Sequence, residues 1–306
     1  IVRLVLARCG QIITVMLTMP LVKLLGNDQA AWIKAIAIWS VMAVALLIFC
    51  FAKCEEKVQV EEVVKQAKVS LGRSIKALVT NQYFWATLVL WAMTCVHTQV
   101  IGTVLPYYCK YIFGNDDWMY SILYVAEIGT LVIAAMFCPM LLRRMSKKAL
   151  ALSGAVLAIL AQLAFMLNPE SYGWVVAMTI IRAVGEAPLY AIIFGMIGDT
   201  VEFGQWKNHI RQESLIFACG SMGFKVGTGI ASALVSALLE SAGYLSSTEG
   251  GVAQPQSALD MIHSIYAWAP IIIWGIVAAV LLFYHLDKKY PKIMADLAER
   301  EARGEM

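Results

Sequence analysis

Eight long apolar segments, separated by short polar connections, constrain what this chain can fold into. A helix needs about 20 apolar residues to cross the hydrocarbon core of a bilayer, and each segment is close to that length. The 306 residues are 60% hydrophobic and 15% charged, whereas a soluble domain carries about 25% charged residues. We therefore predict an all-α, polytopic membrane helix bundle. The predicted spans are 3–25, 31–52, 83–105, 118–141, 149–168, 173–198, 214–240 and 262–285.

The connection 53–82 is longer than the others and divides the spans into two groups. Its last part, 70–82, has apolar residues at helical spacing and predicts an amphipathic helix on the membrane surface. The apolar residues of that helix are Leu71, Ile75, Leu78 and Val79.

Two spans precede this connection and six follow it, which is the pattern of the second half of a six-plus-six transporter. Residues 1–52 are predicted to be the last two helices of an N-terminal bundle, and 83–306 a C-terminal six-helix bundle with a cytoplasmic tail. The chain begins with Ile1 inside an apolar run. We expect it to be the C-terminal part of a longer protein.

Lysine and arginine residues predict the orientation of the spans, because they are enriched on the cytoplasmic side of a membrane. The segments 53–82, 142–148, 199–213 and 286–306 together hold 17 of them. The opposite connections hold only Lys23, Lys34 and Lys110. The long connection and the C-terminus are therefore expected in the cytoplasm, in a multi-pass protein of the cell membrane.

Lys225 lies in the middle of an otherwise apolar span, about 16 Å from its start at 1.5 Å per residue. A lysine at that depth costs on the order of 2.5–3.5 kcal/mol on insertion scales, which favours a polar cavity or a ligand beside it. Ser214, Ser221, Thr228, Ser232 and Ser236 share its helical face. Gly220, Gly223, Gly227 and Ala231 lie on the other side and allow close approach of a neighbouring helix. The alternative is a lysine that reaches to the membrane interface.

Three further charged residues lie well inside the predicted spans 118–141 and 173–198. Arg182 and Glu186 are four residues apart and can pair on one helical face, with Thr179 on the same side. Pro188 is expected to bend that helix. Glu127 lies near mid-depth and can pair with Arg182 or Lys225, or bind a proton. A structural ion pair and a substrate or coupling site both remain open for these residues.

The span 83–105 carries aromatic and hydroxyl side chains on roughly one face. Such a stripe suits a sugar, whose ring face stacks on an aromatic residue while its hydroxyls need hydrogen-bond partners. Packing against neighbouring helices is the alternative explanation, and His97 by itself is weak evidence for proton handling. The stripe consists of Tyr83, Thr87, Trp91, Thr94, His97 and Thr98.

The segment Gly198–Gly229 carries a specific pattern of charged, aromatic and small residues. Asp199, Glu202, Phe203, Gly204, Lys207, Arg211, Glu213, Ser214 and Lys225 make up that pattern. Weaker matches are Pro106-Tyr107-Tyr108 with Lys110, Tyr111 and Gly114; Arg3 with Gly10 and Pro20-Leu21-Val22; and Gly243-Tyr244. Together they resemble the glycoside–pentoside–hexuronide:cation symporter family, a branch of the major facilitator superfamily. Gln205 departs from the pattern, because some members have an acid there.

The resemblance implies sugar or glycoside uptake coupled to H⁺ or Na⁺ by alternating access. It also implies that charged residues near the cytoplasmic connection hold the two halves together in the outward-open state. Those expected gate residues are Asp199, Glu202, Lys207, Arg211 and Glu213. With the residues discussed above, the expected substrate and cation cavity contains Arg3, Trp91, Thr94, His97, Glu127, Arg182, Glu186, Ser221, Lys225 and Thr228.

Other functions are less consistent with this sequence. A non-sugar facilitator, or a lipid-directed or sensor relative on the same fold, is the main alternative. No phosphate-binding loop, metalloprotease motif or nucleophile elbow occurs, so no enzyme is predicted. We expect no cofactor or metal apart from the coupling ion, no nucleic-acid partner, and a monomer in the bilayer.

Overall fold

The computed structural model describes residues 2–26, 28–53, 71–114, 118–245 and 253–303, which contain helices and connections and no strand. It separates into two compact units, which are described here one at a time. The first comprises Val2–Leu71 and the second Gly72–Met306. The division falls within the predicted connection 53–82, of which 54–70 lie outside the described residues.

The first unit is a pair of helices, α1 (Val2–Leu24) and α2 (Gln29–Lys53). Asp28 begins α2, because its Oδ1 accepts a hydrogen bond from the backbone N–H of Ala31 at 2.6 Å. The indole of Trp39 donates to the hydroxyl of Thr18 at 3.1 Å and joins the two helices. Both helices match their predicted spans.

The second unit contains eight described helices. They are α3 (Leu71–Val79), α4 (Gln82–Tyr111), α5 (Trp118–Leu141), α6 (Lys147–Phe165), α7 (Tyr172–Asn208), α8 (Glu213–Ser241), α9 (Gln256–Phe283) and α10 (Leu286–Ala302).

The predicted spans agree with these helices to within a few residues at most ends. Among the described residues, seven helices are long and apolar enough to cross a membrane, and α1 contributes a shorter apolar stretch, Cys9–Leu24. The largest differences are at α4 and α7, which run 6 and 10 residues past their predicted ends at 105 and 198, and at α9, which begins 6 residues before its predicted start at 262. The helix α7 continues through Pro188 without a break. The predicted all-α membrane bundle is confirmed.

The amphipathic helix predicted for 70–82 is present as α3. Leu78 is buried, whereas Ile75 and Val79 are about half exposed. After α3, Asn81 caps α4 by accepting hydrogen bonds from the backbone N–H groups of Tyr83 and Phe84. Its side-chain amide donates to the carbonyl of Thr200 at 3.0 Å, so the same residue fixes the start of α4 against α7.

The most buried helix of the second unit is α7, which packs between α5 and α6. Glycine residues make its approach to α6 unusually close. A methyl group added to Gly154 would lie 2.3 Å from the carbonyl oxygen of Gly185, and one added to Gly185 would lie 2.6 Å from the backbone nitrogen of Ala158. The two backbones are therefore in direct contact, as small residues permit in membrane helices.

The helix α8 packs on α4 through the glycine face predicted from the sequence. Gly220 lies against the ring of Trp91, Gly223 against Leu88, and Gly227 against Val96. A methyl group on Gly220 would lie only 2.0 Å from the Trp91 ring. This part of the prediction is confirmed.

The segment 286–306, expected to be a cytoplasmic tail, instead begins with a packed helix, α10. Leu286, Ile293 and Leu297 are buried in the same core as residues of α4, α6 and α7. Polar contacts anchor the helix as well, since Trp206 donates to Asp296 at 2.8 Å and Arg300 donates to the carbonyl of Trp206 at 2.9 Å. The high proportion of charged residues in this segment concealed its three buried positions.

The contact between α6 and α7 yields a stability prediction. Gly154→Ala is expected to destabilise the second unit by about 1–3 kcal/mol, because the new methyl group meets backbone atoms that cannot rotate away. Gly129→Ala on α5 is the matched control, since nothing lies within 4 Å of its added methyl group. The control should be neutral or stabilising by up to about 1 kcal/mol. Thermal unfolding in detergent measures the stability of both variants. Equal unfolding midpoints for Gly154→Ala and Gly129→Ala would contradict the close approach of α6 to α7.

Candidate functional site

A cluster of polar side chains is buried at the centre of the second unit, where five apolar helices meet. Four helices contribute His97 from α4, Glu127 from α5, Gln162 from α6, and Arg182 with Glu186 from α7. Each of these residues is less than 9% exposed. The fifth helix, α9, contributes Tyr266 and Trp274, both about 1% exposed. We call this set the buried cluster.

Arg182 is the hub of the buried cluster, since each of its three side-chain nitrogens has a different partner. Its Nη1 donates to Oε1 of Gln162 at 2.9 Å, and its Nη2 donates to Oε2 of Glu127 at 3.2 Å. Its Nε lies 3.2 Å from Oε1 of Glu186, one turn further along α7. The predicted pairing of Arg182 with Glu186 is confirmed, and of the partners considered for Glu127 the structure places Arg182 beside it.

Gln162 connects this arginine to α9 through a backbone carbonyl that lacks its usual helical hydrogen bond. Pro270 has no N–H, so the carbonyl of Tyr266 loses its usual helical donor four residues later. The side-chain amide of Gln162 supplies the missing donor at 2.9 Å, while its oxygen accepts from Arg182. The ring of Tyr266 lies 5.8 Å from the guanidinium carbon and covers one side of it.

Glu186 and His97 are the least satisfied members of the cluster. The Nε2 atom of His97 lies 3.2 Å from Oε1 of Glu186, and both side chains are 1% exposed. Neither carboxylate oxygen of Glu186 and neither ring nitrogen of His97 has a well-formed hydrogen bond within the described residues, and Nε of Arg182 also lacks one. The same holds for the Tyr266 hydroxyl and for Nε1 of Trp274, whose ring lies 5.7 Å from that of His97. The indole of Trp274 faces the Glu186 carboxyl without forming a well-aligned hydrogen bond to it.

The formal charges of the buried cluster do not cancel. One arginine faces two glutamates, which leaves one negative charge in excess when His97 is neutral. His97, Glu127 and Glu186 offer ligand atoms within 4.8 Å of one another. However, the Arg182 guanidinium already contacts both carboxylates and would repel a second cation bound by them. We therefore do not assign these side chains as metal ligands.

Lys225 lies apart from the buried cluster, on the exposed side of α8. No carboxylate is recorded within 4.0 Å of its ammonium group in the described part of the chain, and the nearest described ring is its neighbour Phe224 at 5.4 Å. Ser221 is exposed as well, and Thr228 donates to the carbonyl of Lys225 at 3.0 Å. Ser232 differs from this set, because Gln99 of α4 donates to its hydroxyl at 2.9 Å.

The aromatic and hydroxyl stripe of α4 packs against neighbouring helices. Trp91 fills the contact with α8, and Tyr83 meets the rings of Phe203 and Tyr284 edge-on. Thr94 donates to the backbone carbonyl of Trp91 at 2.7 Å. Of the two explanations, these contacts favour helix packing, with His97 as the member that enters the buried cluster.

The expected gate residues lie at the end of the second unit where α7 and α8 are connected. Asp199 is 5% exposed and accepts two hydrogen bonds from the ammonium group of Lys147, at 2.6 and 2.7 Å. Glu202 accepts a hydrogen bond from the hydroxyl of Tyr290 on α10. Burial and this bond raise the pKa of Tyr290, so it remains a donor. Both acids therefore have partners within their own unit.

The remaining gate residues are more exposed. Lys207 donates to the carbonyl of Thr80 at 2.8 Å. Arg211 donates to Gln205 at 3.2 Å and to Glu213 at 3.1 Å. Arg3 lies in α1, but its side chain is outside the described residues.

Comparison with known proteins places these features in a family. The family model described as MFS/sugar transport protein matches residues 1–288, nearly the whole chain. The chain belongs to this family. The sugar-transporter family recognised from Gly198–Gly229 is therefore confirmed, and the predicted multi-pass membrane protein agrees with this family.

Members of this MFS/sugar transport family that resemble the chain include several carriers and symporters. An isoprimeverose transporter of Lactiplantibacillus pentosus is 28% identical over 99% of this chain and 63% of its own length. The inner membrane symporter YicJ of Escherichia coli is 24% identical over 98% of this chain and 65% of its own length. A putative sulfoquinovose importer of Salmonella typhimurium is 24% identical over 91% of this chain and 58% of its own length. The chain thus spans less than two thirds of the length of each of these relatives.

Sequence reasoning missed five of the residues that complete these sites. Gln162 could have been found from the sequence, because a lone amide in an apolar span indicates a buried polar contact. Pro270 likewise indicates a backbone carbonyl that needs another hydrogen-bond donor. Lys147 and Tyr290 had no such sequence feature, because their contacts depend on how α6 and α10 pack. The missed residues are Lys147, Gln162, Tyr266, Trp274 and Tyr290.

Removing the hub of the buried cluster should be costly. Arg182→Gln is expected to destabilise the protein by about 3–5 kcal/mol near neutral pH, because it removes the cation that contacts the buried carboxyl groups of both Glu127 and Glu186. The loss should shrink as the pH falls, because a protonated carboxyl needs no counter-charge. Adding Glu127→Gln should recover part of it.

Chemical unfolding in detergent at several pH values measures these effects. Arg144→Gln is the matched control, because Arg144 is exposed, and it should change the free energy of unfolding by no more than about 0.5 kcal/mol. Equal stability of Arg182→Gln and Arg144→Gln would contradict the role of Arg182.

Proposed function

We propose that this protein carries a sugar or glycoside across the cell membrane together with a cation, H⁺ or Na⁺. Membership of a sugar transport family supports the substrate class. Relatives named as symporters, and one named as an isoprimeverose transporter, support coupled transport of a sugar. The transport cycle is alternating access, in which one helix bundle rocks against the other around a central site.

The observation that carries this proposal is the exposed side of α8. It presents a lysine about 18 Å from the start of a 29-residue helix at 1.5 Å per residue. Apolar residues dominate the helix, so a cation there is costly unless it faces a polar surface, an ion or a substrate. Ser221 and Thr228 provide hydroxyls on the same face, and sugar hydroxyls need such partners.

The orientation is part of the same proposal. Positive residues of the α5–α6 and α7–α8 connections and of α10 mark the end of the second unit that faces the cytoplasm. Asp199 and Glu202 lie at this end, where they hold α6 and α10 against α7. Breaking and forming such contacts would open and close the cytoplasmic side of the site.

Replacing the α8 lysine tests the proposal. Lys225→Val in the protein expressed at full length should reduce cation-driven accumulation of a labelled glycoside to the level of empty membranes. The reason is that Lys225 positions a carboxylate or a substrate hydroxyl in the transport site. The effect is measured as uptake of the glycoside into membrane vesicles. Separate experiments with a pH gradient and with a Na⁺ gradient identify the coupling ion.

The control for this substitution is Lys292→Val, which removes an exposed lysine of α10 far along the chain from α8. It should accumulate the glycoside like the unmodified protein. Accumulation at the unmodified level by Lys225→Val would contradict the role of Lys225. Binding of lipid but no glycoside by the unmodified protein would favour the lipid-directed alternative instead.

A further inference from the structure

We infer that the buried cluster is a proton-binding site and that Glu186 holds the proton. Neither the family nor the relatives' names assign a function to these side chains. The inference follows from the number of buried charges and from the hydrogen bonds that each carboxylate lacks. Its role as the coupling site rests on the symport proposed above.

The first argument concerns charge. The titratable and charged groups around Glu186 are His97 on α4, Glu127 on α5 and Arg182 on α7. On α9, Trp274 faces the Glu186 carboxyl and Tyr266 faces the Arg182 guanidinium, while Gln162 on α6 is uncharged. Arg182 is the one obligatory cation among the described members, and it balances one of the two carboxylates. A second ionised carboxylate at 1% exposure would lack both water and a counter-charge, which is strongly unfavourable. One bound proton makes the cluster neutral.

The second argument locates the proton. Glu127 accepts a hydrogen bond from Nη2 of Arg182 and retains 11% side-chain exposure. Glu186 lies equally close to Arg182, with Oε1 3.2 Å from Nε, but it accepts no well-formed hydrogen bond at either oxygen and is almost completely enclosed. Glu127 is therefore the ionised partner of Arg182. Glu186 is the carboxyl that is most stable in its protonated form.

The third argument concerns the exit of the proton. His97 lies 3.2 Å from Glu186, and both of its ring nitrogens lack a well-formed hydrogen bond. A neutral imidazole can accept a proton from the Glu186 carboxyl, which leaves a carboxylate beside an imidazolium with the total charge unchanged. Loss of that proton from His97 then restores the surplus negative charge. The site thus takes up and releases one proton without a metal ion.

Infrared difference spectroscopy of the protein in lipid nanodiscs tests this inference directly, because a protonated carboxyl has its own C=O stretch. The unmodified protein at neutral pH should show the band of one protonated carboxyl. Glu186→Gln should abolish it. Glu127→Gln should also abolish it, because Arg182 then balances Glu186. Replacement by aspartate keeps the charge count and locates the proton: Glu186→Asp should shift the frequency of the band, whereas Glu127→Asp should leave it unchanged. Arg182→Gln, if it folds, should double it, since both carboxyls must then be neutral.

Glu240→Gln is the control, because Glu240 is an exposed carboxylate of α8 and should leave the band unchanged. Persistence of the whole band in Glu186→Gln would overturn the inference. A second result would also overturn it: the unmodified protein shows no such band and binds Na⁺, and Glu186→Gln abolishes the Na⁺ binding. A metal cation, rather than a proton, would then balance the charge of the cluster.

Transport assays keep this inference separate from the proposed function. In the full-length protein, Glu186→Gln should retain exchange of labelled glycoside across the membrane but lose accumulation driven by a pH gradient. Unchanged proton-driven accumulation, with the infrared band lost, would overturn the coupling role and leave the proton site in place. A protein that shows the band but carries no glycoside would overturn the symport proposal and not the proton site.

Discussion

The guanidinium of Arg182 is the interaction on which the second unit depends. It contacts Glu186 on its own helix, Glu127 on α5 and Gln162 on α6, and Gln162 extends the connection to the backbone of α9. A buried ion pair stabilises only when its geometry satisfies most of the hydrogen-bonding capacity of both partners. Arg182 meets this condition in its hydrogen bonds to Gln162 and Glu127, which join α6 and α5 to α7, whereas Glu186 does not meet it.

Backbone chemistry makes this arrangement possible. Contact between Gly154 and Gly185 brings α6 against α7, and Gln162 lies two turns further along α6, within reach of Arg182. Pro270 then exposes the carbonyl that Gln162 needs as its second partner. In a membrane, a free carbonyl requires a donor from protein, because the hydrocarbon supplies none. Two glycines, one proline and one glutamine thus act together in joining three helices.

The sequence predicted the elements of this fold better than the contacts between them. The spans, the glycine face of α8 and the pair of Arg182 with Glu186 all follow from periodicities within one helix, and the structure contains each of them. The contacts of Glu127 with Arg182 and of Lys147 with Asp199 join residues 55 and 52 positions apart. Periodicity carries no information about such pairs. The helix α10 was missed because its apolar residues are few and widely spaced.

The two polar features of the second unit obey different physical limits. Lys225 is exposed on its helix, so its surroundings can change with the state of the transporter and with a bound substrate. The buried cluster is enclosed, so its charge must be balanced by its own side chains and by protons. The helix α4 touches both features, since His97 belongs to the cluster while Trp91 and Gln99 contact Gly220 and Ser232 of α8. A proton lost from Glu186 would leave a charge beside α4, and a shift of that helix would act on the glycine face of α8, the helix that carries Lys225. Coupling between an ion and a sugar requires such a shared element. Among the described helices that contribute to the buried cluster, α4 makes the most extensive contact with α8 and supplies the side chains that lie against its glycine face.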